Sequence, residues 1–164
     1  MNKEGGVAVS KRAKILIWSA FGAYIALMLW LLFGQRWNLG GSENYSQRLM
    51  ENLNLVPFRT IGEYMRVLLS GQTHLRSHAM INLAGNVVMF VPLGFFLPLV
   101  AKSCRTYWKH LLWVLLILLC IEVLQLVTLL GSCDVDDFLL NIPGTAIGYG
   151  LFSLFIRNKM DKYS

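Results

Sequence analysis

Four apolar stretches, each about as long as a bilayer is thick, limit what this chain can become. Residues 15–33 are 19 consecutive positions without a charge, and as an α-helix they rise roughly 28 Å, close to the hydrocarbon thickness of a membrane. Further runs occupy residues 79–100, 110–130 and 138–156. Hydrocarbon offers no partner for backbone N–H and C=O groups, so runs of this length satisfy their own hydrogen bonds as helices. The expected fold is an all-α integral membrane protein with four transmembrane helices. Composition agrees: 55% of the 164 residues are hydrophobic and 15% charged, with mean hydropathy +0.52, too apolar for a water-soluble domain.

Basic residues set the expected orientation. Four precede the first run, Lys102, Arg105 and Lys109 separate the second from the third, and Arg157, Lys159 and Lys162 follow the fourth. The first loop carries five, spread among Glu43, Glu51 and Glu63, and the Asp134 turn carries none. Lysine and arginine favour the cytoplasmic side, so a cell-membrane protein with both termini cytoplasmic is expected. Residues 1–14 are then a cytoplasmic basic segment, 15–157 one transmembrane domain and 158–164 a cytoplasmic tail. The net charge of +6 is explained by topology, and no nucleic acid is expected as a partner. Lys3, Lys11, Arg12 and Lys14 resemble a signal-peptide n-region, but the first run is too long and lacks a cleavage site, so it reads as a retained anchor. Trp18 and Trp30 sit near its ends, and Trp108 and Trp113 near the start of the third run, where amphipathic rings favour interfaces.

The first outer loop is structured. Thr60-Ile61-Gly62-Glu63 has the form of a capping box, and Ile61, Tyr64, Met65, Leu68 and Leu69 recur on one helical face before Gly71. A helix of about ten residues, roughly 15 Å long, cannot span and is expected to lie in the interface. Pro57 disfavours helical geometry at Val56, so residues 54–58 are expected to be extended. Pro92 should kink the second crossing, and Pro143 must lie inside the fourth, because a helix starting there would be too short. Gly144 and Gly148 form a small-xxx-small face for close helix packing.

Polar residues interrupt these apolar runs at one depth. Asn82 and Asn86 share a helical face, Glu122 and Gln125 share another, and Asn141 lies in the fourth run, all in the outer half. Interhelical amide bonds, at about 0.6–2 kcal/mol each, would account for the amides alone. They do not account for Glu122, about 12 Å in by helical rise. A carboxylate near a bilayer centre costs about 3 kcal/mol on the insertion scale, so it needs a partner or a task. Arg59, anchored beside the interfacial helix, is one expected partner; a protonated Glu122 bonded to Gln125, Asn86 or Asn141 is the alternative. Asp134 suits a helix N-cap, with Asp137 favourable in the first turn. The expected binding set is Arg59, Asn82, Asn86, Glu122, Gln125, Asp134, Asp136, Asp137 and Asn141, with Glu122 the catalytic candidate.

Other chemistry is weakly supported. Asp134, Asp136 and Asp137, with His74 and His78 nearby, lack the glycine spacing of a calcium loop, so no metal is expected, and no cofactor motif occurs. Cys104, Cys120 and Cys133 fall at three depths, too far apart for a disulfide. Neighbouring carboxylates work against a Cys133 nucleophile.

The segments Asn54-Leu55-Val56-Pro57-Phe58-Arg59-Thr60-Ile61, Asn82-Leu83-Ala84-Gly85-Asn86 and Phe90-Val91-Pro92-Leu93-Gly94 resemble the VanZ-like family. So do Glu122 with Gln125, and Asp134-Val135-Asp136-Asp137 with Asn141, Gly144 and Gly148. The resemblance implies a small multi-pass bacterial envelope protein of the kind named for teicoplanin resistance. Gly131 and Ser132 stand where many members carry an arginine, and Pro143 before Gly144 is unusual. Three functions follow as expectations. The first is a non-enzymatic protein whose outward-facing pocket binds membrane lipid, a lipid-linked envelope precursor or the lipid tail of a glycopeptide. The second is an intramembrane hydrolase or transferase using Glu122 as acid or base. The third is a scaffold for other membrane proteins. Oligomeric state is not legible.

Overall fold

The computed structural model describes residues 10–34, 44–70 and 73–157. Lys3, Arg36, Glu43, the Gly71 stop, and Lys159 and Lys162 of the tail lie outside the described residues. Among the described residues, four helices are long and apolar enough to cross a membrane. The first is α1 (Lys11–Phe33), whose Ser10 cap accepts the Ala13 N–H at 3.2 Å. A short helix, α2 (Tyr45–Glu51), leads to the two-residue strand β1 (Leu53–Asn54) and the helix α3 (Arg59–Leu69). The second crossing, α4 (Thr73–Val100), begins at Thr73 rather than residue 79, because nothing in residues 73–78 breaks a helix, and it runs through Pro92 and Pro98. A 3₁₀ turn (Lys102–Arg105) joins it to α5 (Tyr107–Thr128), the third crossing. After strand β2 (Cys133–Asp134), the fourth crossing is α6 (Val135–Phe152), which ends in a π-helical turn (Ser153–Arg157).

The α3 helix has the expected length and one apolar face, but the capping box does not form. The cap position is Phe58, in the left-handed region at φ 64°, without a side-chain cap of its own. Thr60 is inside the helix and its hydroxyl donates to Asp134. Glu63 pairs with Arg59 at 3.5 Å. Acceptors from α6 reach the first turn of α3, and so the local pattern is not needed.

Backbone proximity between α4 and α6 organises the bundle, and these two helices share its most extensive contact. A Cβ added to Gly144 would lie 2.1 Å from the Val87 carbonyl oxygen, and one added to Gly148 would lie 2.0 Å from that of Val91. Gly94 answers from the other side, where a Cβ would lie 2.0 Å from the Thr145 carbonyl oxygen. Small residues let the backbones meet, which is how helices gain packing in lipid without a hydrophobic drive to associate. Around this seam Met28, Phe90, Leu93, Leu97, Val114, Leu118 and Ile121 form the buried apolar core.

The first helix is more loosely held, with most of its surface exposed to the surroundings of the bundle. The Tyr24 hydroxyl donates to the Met89 carbonyl at 2.9 Å, and Gln125 Nε2 donates to the Leu32 carbonyl at 3.3 Å. Trp18, Trp30, Trp108 and Trp113 are exposed, as interfacial rings should be. At the end opposite α3, the Tyr149 hydroxyl donates to the Arg105 carbonyl at 2.6 Å.

Candidate functional site

Two segments about eighty residues apart in sequence meet at the α3 end of the bundle. β1 and β2 pair in parallel, Leu53 opposite Cys133 and Asn54 opposite Asp134, and the Cys133 N–H donates to the Asn52 carbonyl at 2.8 Å. The chain reaches β2 through a turn at Leu129, which has φ 53°. Gly131 then folds back over Gln125 so closely that a Cβ would lie 2.8 Å from the amide side chain. A larger residue at 131 would displace the Gln125 side chain.

Asp134 is the hub. Its side chain caps α6 by accepting the Asp136 N–H at 2.9 Å, the N-cap role expected of it. The same carboxylate accepts Asn54 Nδ2 at 3.1 Å and the Thr60 hydroxyl at 2.5 Å. Its backbone N–H donates to Glu122 Oε2 at 3.0 Å. Asp136, with no exposed surface, reaches the other way: it accepts the Phe58 N–H at 2.6 Å and the Ile61 N–H at 3.0 Å. It therefore caps α3 from another helix, satisfying donors that α3 cannot satisfy itself. The left-handed Phe58 turns its own N–H toward that carboxylate. Asp137 Oδ1 accepts Asn86 Nδ2 at 2.7 Å, tying α6 to α4.

Glu122 and Arg59 do not meet. Glu122 is 2% exposed and bonds the Asp134 N–H, whereas the Arg59 side chain is 61% exposed and pairs with Glu63. The buried acid is served by a backbone donor that the sharp turn before α6 points at it, and Arg59, four residues from Glu63 on an exposed helix face, has a nearer carboxylate. Burial above all, and then the carboxylates of Glu122, Asp134 and Asp137, push the Cys133 thiol above its ordinary pKa, against a nucleophilic role.

A cavity of about 610 Å³ opens beside this knot, between α1, α3, α4 and the start of α6. Its polar lining consists of Asp134, Asp137, Asn82, Asn86, Gln125 and Ser132, with Thr60, Tyr64 and His78 toward α3. Leu31, Leu32, Ile81, Met89 and Leu140 are interspersed with these as its apolar lining. Of the expected binding residues, Asn82, Asn86, Gln125, Asp134 and Asp137 line the cavity; Arg59, Glu122, Asp136 and Asn141 are not among its lining. Asn82 turns back along α4, its Nδ2 donating to the His78 carbonyl at 2.9 Å. Asn141 is buried, and its Oδ1 has no hydrogen-bond partner among the described residues.

The cavity also uses residues that the sequence did not single out as binding groups. Asn54 and Thr60 hold its Asp134 by donating to the carboxylate, and their signal was a polar pair within the motif around Pro57. Tyr64 and His78 lean on one another with ring centroids 6.1 Å apart. At the opposite end His110 is 2% exposed, lies 4.7 Å from the Tyr149 ring centroid, and has no hydrogen-bond partner on either ring nitrogen among the described residues. A single histidine at the start of an apolar run has no spacing that would have marked it.

A family model described as VanZ/LLP1 matches residues 21–156. Among curated proteins the chain is similar to Protein VanZ of Enterococcus faecium, 28% identical over 150 residues, which is 91% of this chain and 81% of that protein. No solved structure matches the chain.

Proposed function

Because this chain belongs to the VanZ/LLP1 family, we propose that it serves glycopeptide resistance of the teicoplanin type by holding an envelope amphiphile in an outward-facing pocket. The observation that carries this reading is the mixed lining of the cavity, in which the carboxylates and amides of Asp134, Asp137, Asn82, Asn86 and Gln125 occur together with Leu31, Leu32, Ile81 and Met89. A molecule with a polar head and an alkyl tail offers partners to both kinds of lining residue, and the volume is in the range that holds a drug-sized ligand. A lipid, a lipid-linked envelope precursor and the acyl tail of a glycopeptide all have that form. The outward direction is supported by Lys11, Arg12, Lys14, Lys102, Arg105 and Lys109, all on the side of the bundle opposite Asp134. Glu122 is occupied by the Asp134 N–H and does not reach the cavity wall, so we assign it a structural task rather than acid or base chemistry.

The test is susceptibility of otherwise identical cells with and without the chain. Teicoplanin resistance should rise more than vancomycin resistance, and Gly85→Trp should abolish the rise while leaving the protein in the membrane. Gly85 lines the cavity and a Cβ there meets nothing within 4 Å, so the substitution fills the cavity rather than the core. Unchanged susceptibility to both drugs sinks the resistance link, and full protection by Gly85→Trp sinks the role of the cavity.

A further inference from the structure

The cavity opens sideways between α1 and α4, an inference that deepens its reading as an amphiphile site and rests on that reading. The two helices run antiparallel and touch toward the end of the bundle opposite α3. There Phe21 and Tyr24 pack against Phe96 with ring centroids 6.0 and 6.5 Å apart, and the Tyr24 hydroxyl donates to the Met89 carbonyl at 2.9 Å. Past that bond α1 is tied to a different helix, since its Leu32 carbonyl accepts Gln125 of α5 at 3.3 Å. Among the described residues, no hydrogen bond or ring contact joins α1 to α4 between Met89 and the α3 end.

The α4 stripe on this side records the change. Ile81, Gly85 and Met89 recur every four residues, and Phe96 follows on the same face. Met89 and Phe96 are partly buried, whereas Ile81 is 70% exposed and a Cβ on Gly85 would meet nothing within 4 Å. Ile81, Gly85 and Met89 line the cavity, as does the exposed Leu31 of α1. Ala84 and Val88, beside the stripe, are exposed as well. The lining therefore adjoins the outer surface of α4, and all of these residues lie within helices able to span a membrane. At that depth a gap between two helices is filled by protein or by lipid chains, because an empty one forfeits dispersion contacts on both sides.

We propose that this gap is a lateral portal, through which the acyl chain of a lipid in the leaflet on the Asp134 side enters the cavity, so that the ligand reaches its site without leaving the membrane. The head group stays at the α3 end, where Thr60, Tyr64 and His78 line the cavity. The chain extends toward Met89, eleven residues along α4 from His78 and about 16 Å deeper by helical rise.

The experiment places photo-methionine, a diazirine analogue that couples on illumination to whatever touches it, at the methionines of the full chain in phosphatidylcholine nanodiscs. Adducts are mapped by mass spectrometry. The exposed Met80 reports contact with bulk lipid and the buried Met28 reports background. Lipid adducts are expected at Met80 and Met89 but not at Met28, and Gly85→Trp should remove the Met89 adduct while leaving that at Met80. If Met89 of the unaltered chain couples to nothing, or only to protein, the portal is overturned whether or not the variant folds. A Met89 adduct that survives Gly85→Trp also overturns it, since the chain then arrives by another path. The resistance assay separates the two levels. If Gly85→Trp abolishes protection but Met89 collects no lipid, the cavity keeps its role and the portal falls. If lipid reaches Met89 yet Gly85→Trp protects fully, the portal stands and the role of the cavity in resistance falls.

Discussion

Asp136→Ala should loosen the first turn of α3 specifically. The native carboxylate is wholly buried and accepts the Phe58 and Ile61 N–H groups at 2.6 and 3.0 Å. Leaving a buried donor unsatisfied costs about 1–3 kcal/mol. Removal of the negative charge from the start of α3 adds about 0.3–1 kcal/mol. The Phe58 side chain is exposed, so water can reach part of the freed backbone, and a total of about 2–4 kcal/mol follows. At about 1.4 kcal/mol per factor of ten, amide exchange across Phe58 to Ile61 should quicken roughly 30-fold to several-hundred-fold by local opening. The seam between α4 and α6, far from the lesion, should keep its protection. Asp136→Asn retains one acceptor oxygen and should fall between the two. Hydrogen exchange read by mass spectrometry on the purified protein is the measurement, and unchanged exchange in Asp136→Ala would refute the cross-helix cap.

Gly148→Leu should strongly lower folded yield, because its first side-chain atom would lie 2.0 Å from the Val91 carbonyl oxygen, whereas Gly22→Leu, which meets nothing within 4 Å, should not; equal detergent-resistant yields would break the seam argument. Glu122→Gln keeps an acceptor for the Asp134 N–H and should fold nearly as well as the native chain, while Glu122→Leu strands that donor at a cost of about 1–3 kcal/mol. Combined with Arg59→Gln, losses in thermal stability should add, since the two residues have separate partners; coupling above about 0.5 kcal/mol would reinstate the pair. With the native cysteines replaced, a membrane-impermeant thiol reagent should label Ser132→Cys on intact cells and spare Ser103→Cys, and the reverse would put the cavity on the cytoplasmic side.

The apolar runs by themselves determined four crossings, because the bilayer sets the length of a segment and forces it to satisfy its own backbone. Local patterns also carried the amphipathic α3, the Asp134 cap and the small face of Gly144 and Gly148. In each case the cause lies within a few residues of the effect. The reciprocal Gly94 was harder to see, since a lone glycine gains meaning only from the helix opposite it.

Only the tertiary structure decided who partners whom. A capping box at Thr60 was locally sound, yet Asp136 reaches the turn from another helix and Thr60 is drawn to Asp134. Glu122 called for a partner, and charge alone nominated Arg59; the fold instead presents the Asp134 N–H twelve residues onward and leaves Arg59 to Glu63. Asn82, Asn86 and Gln125 were legible as polar residues at a shared depth, but that Leu31 and Leu32 of α1 line a cavity with them was not. Periodicity records which face a residue occupies along one helix. Hydrogen-bond partners depend on distances of a few ångströms between segments far apart in sequence, and those distances exist only once the β1–β2 pairing has brought the segments together.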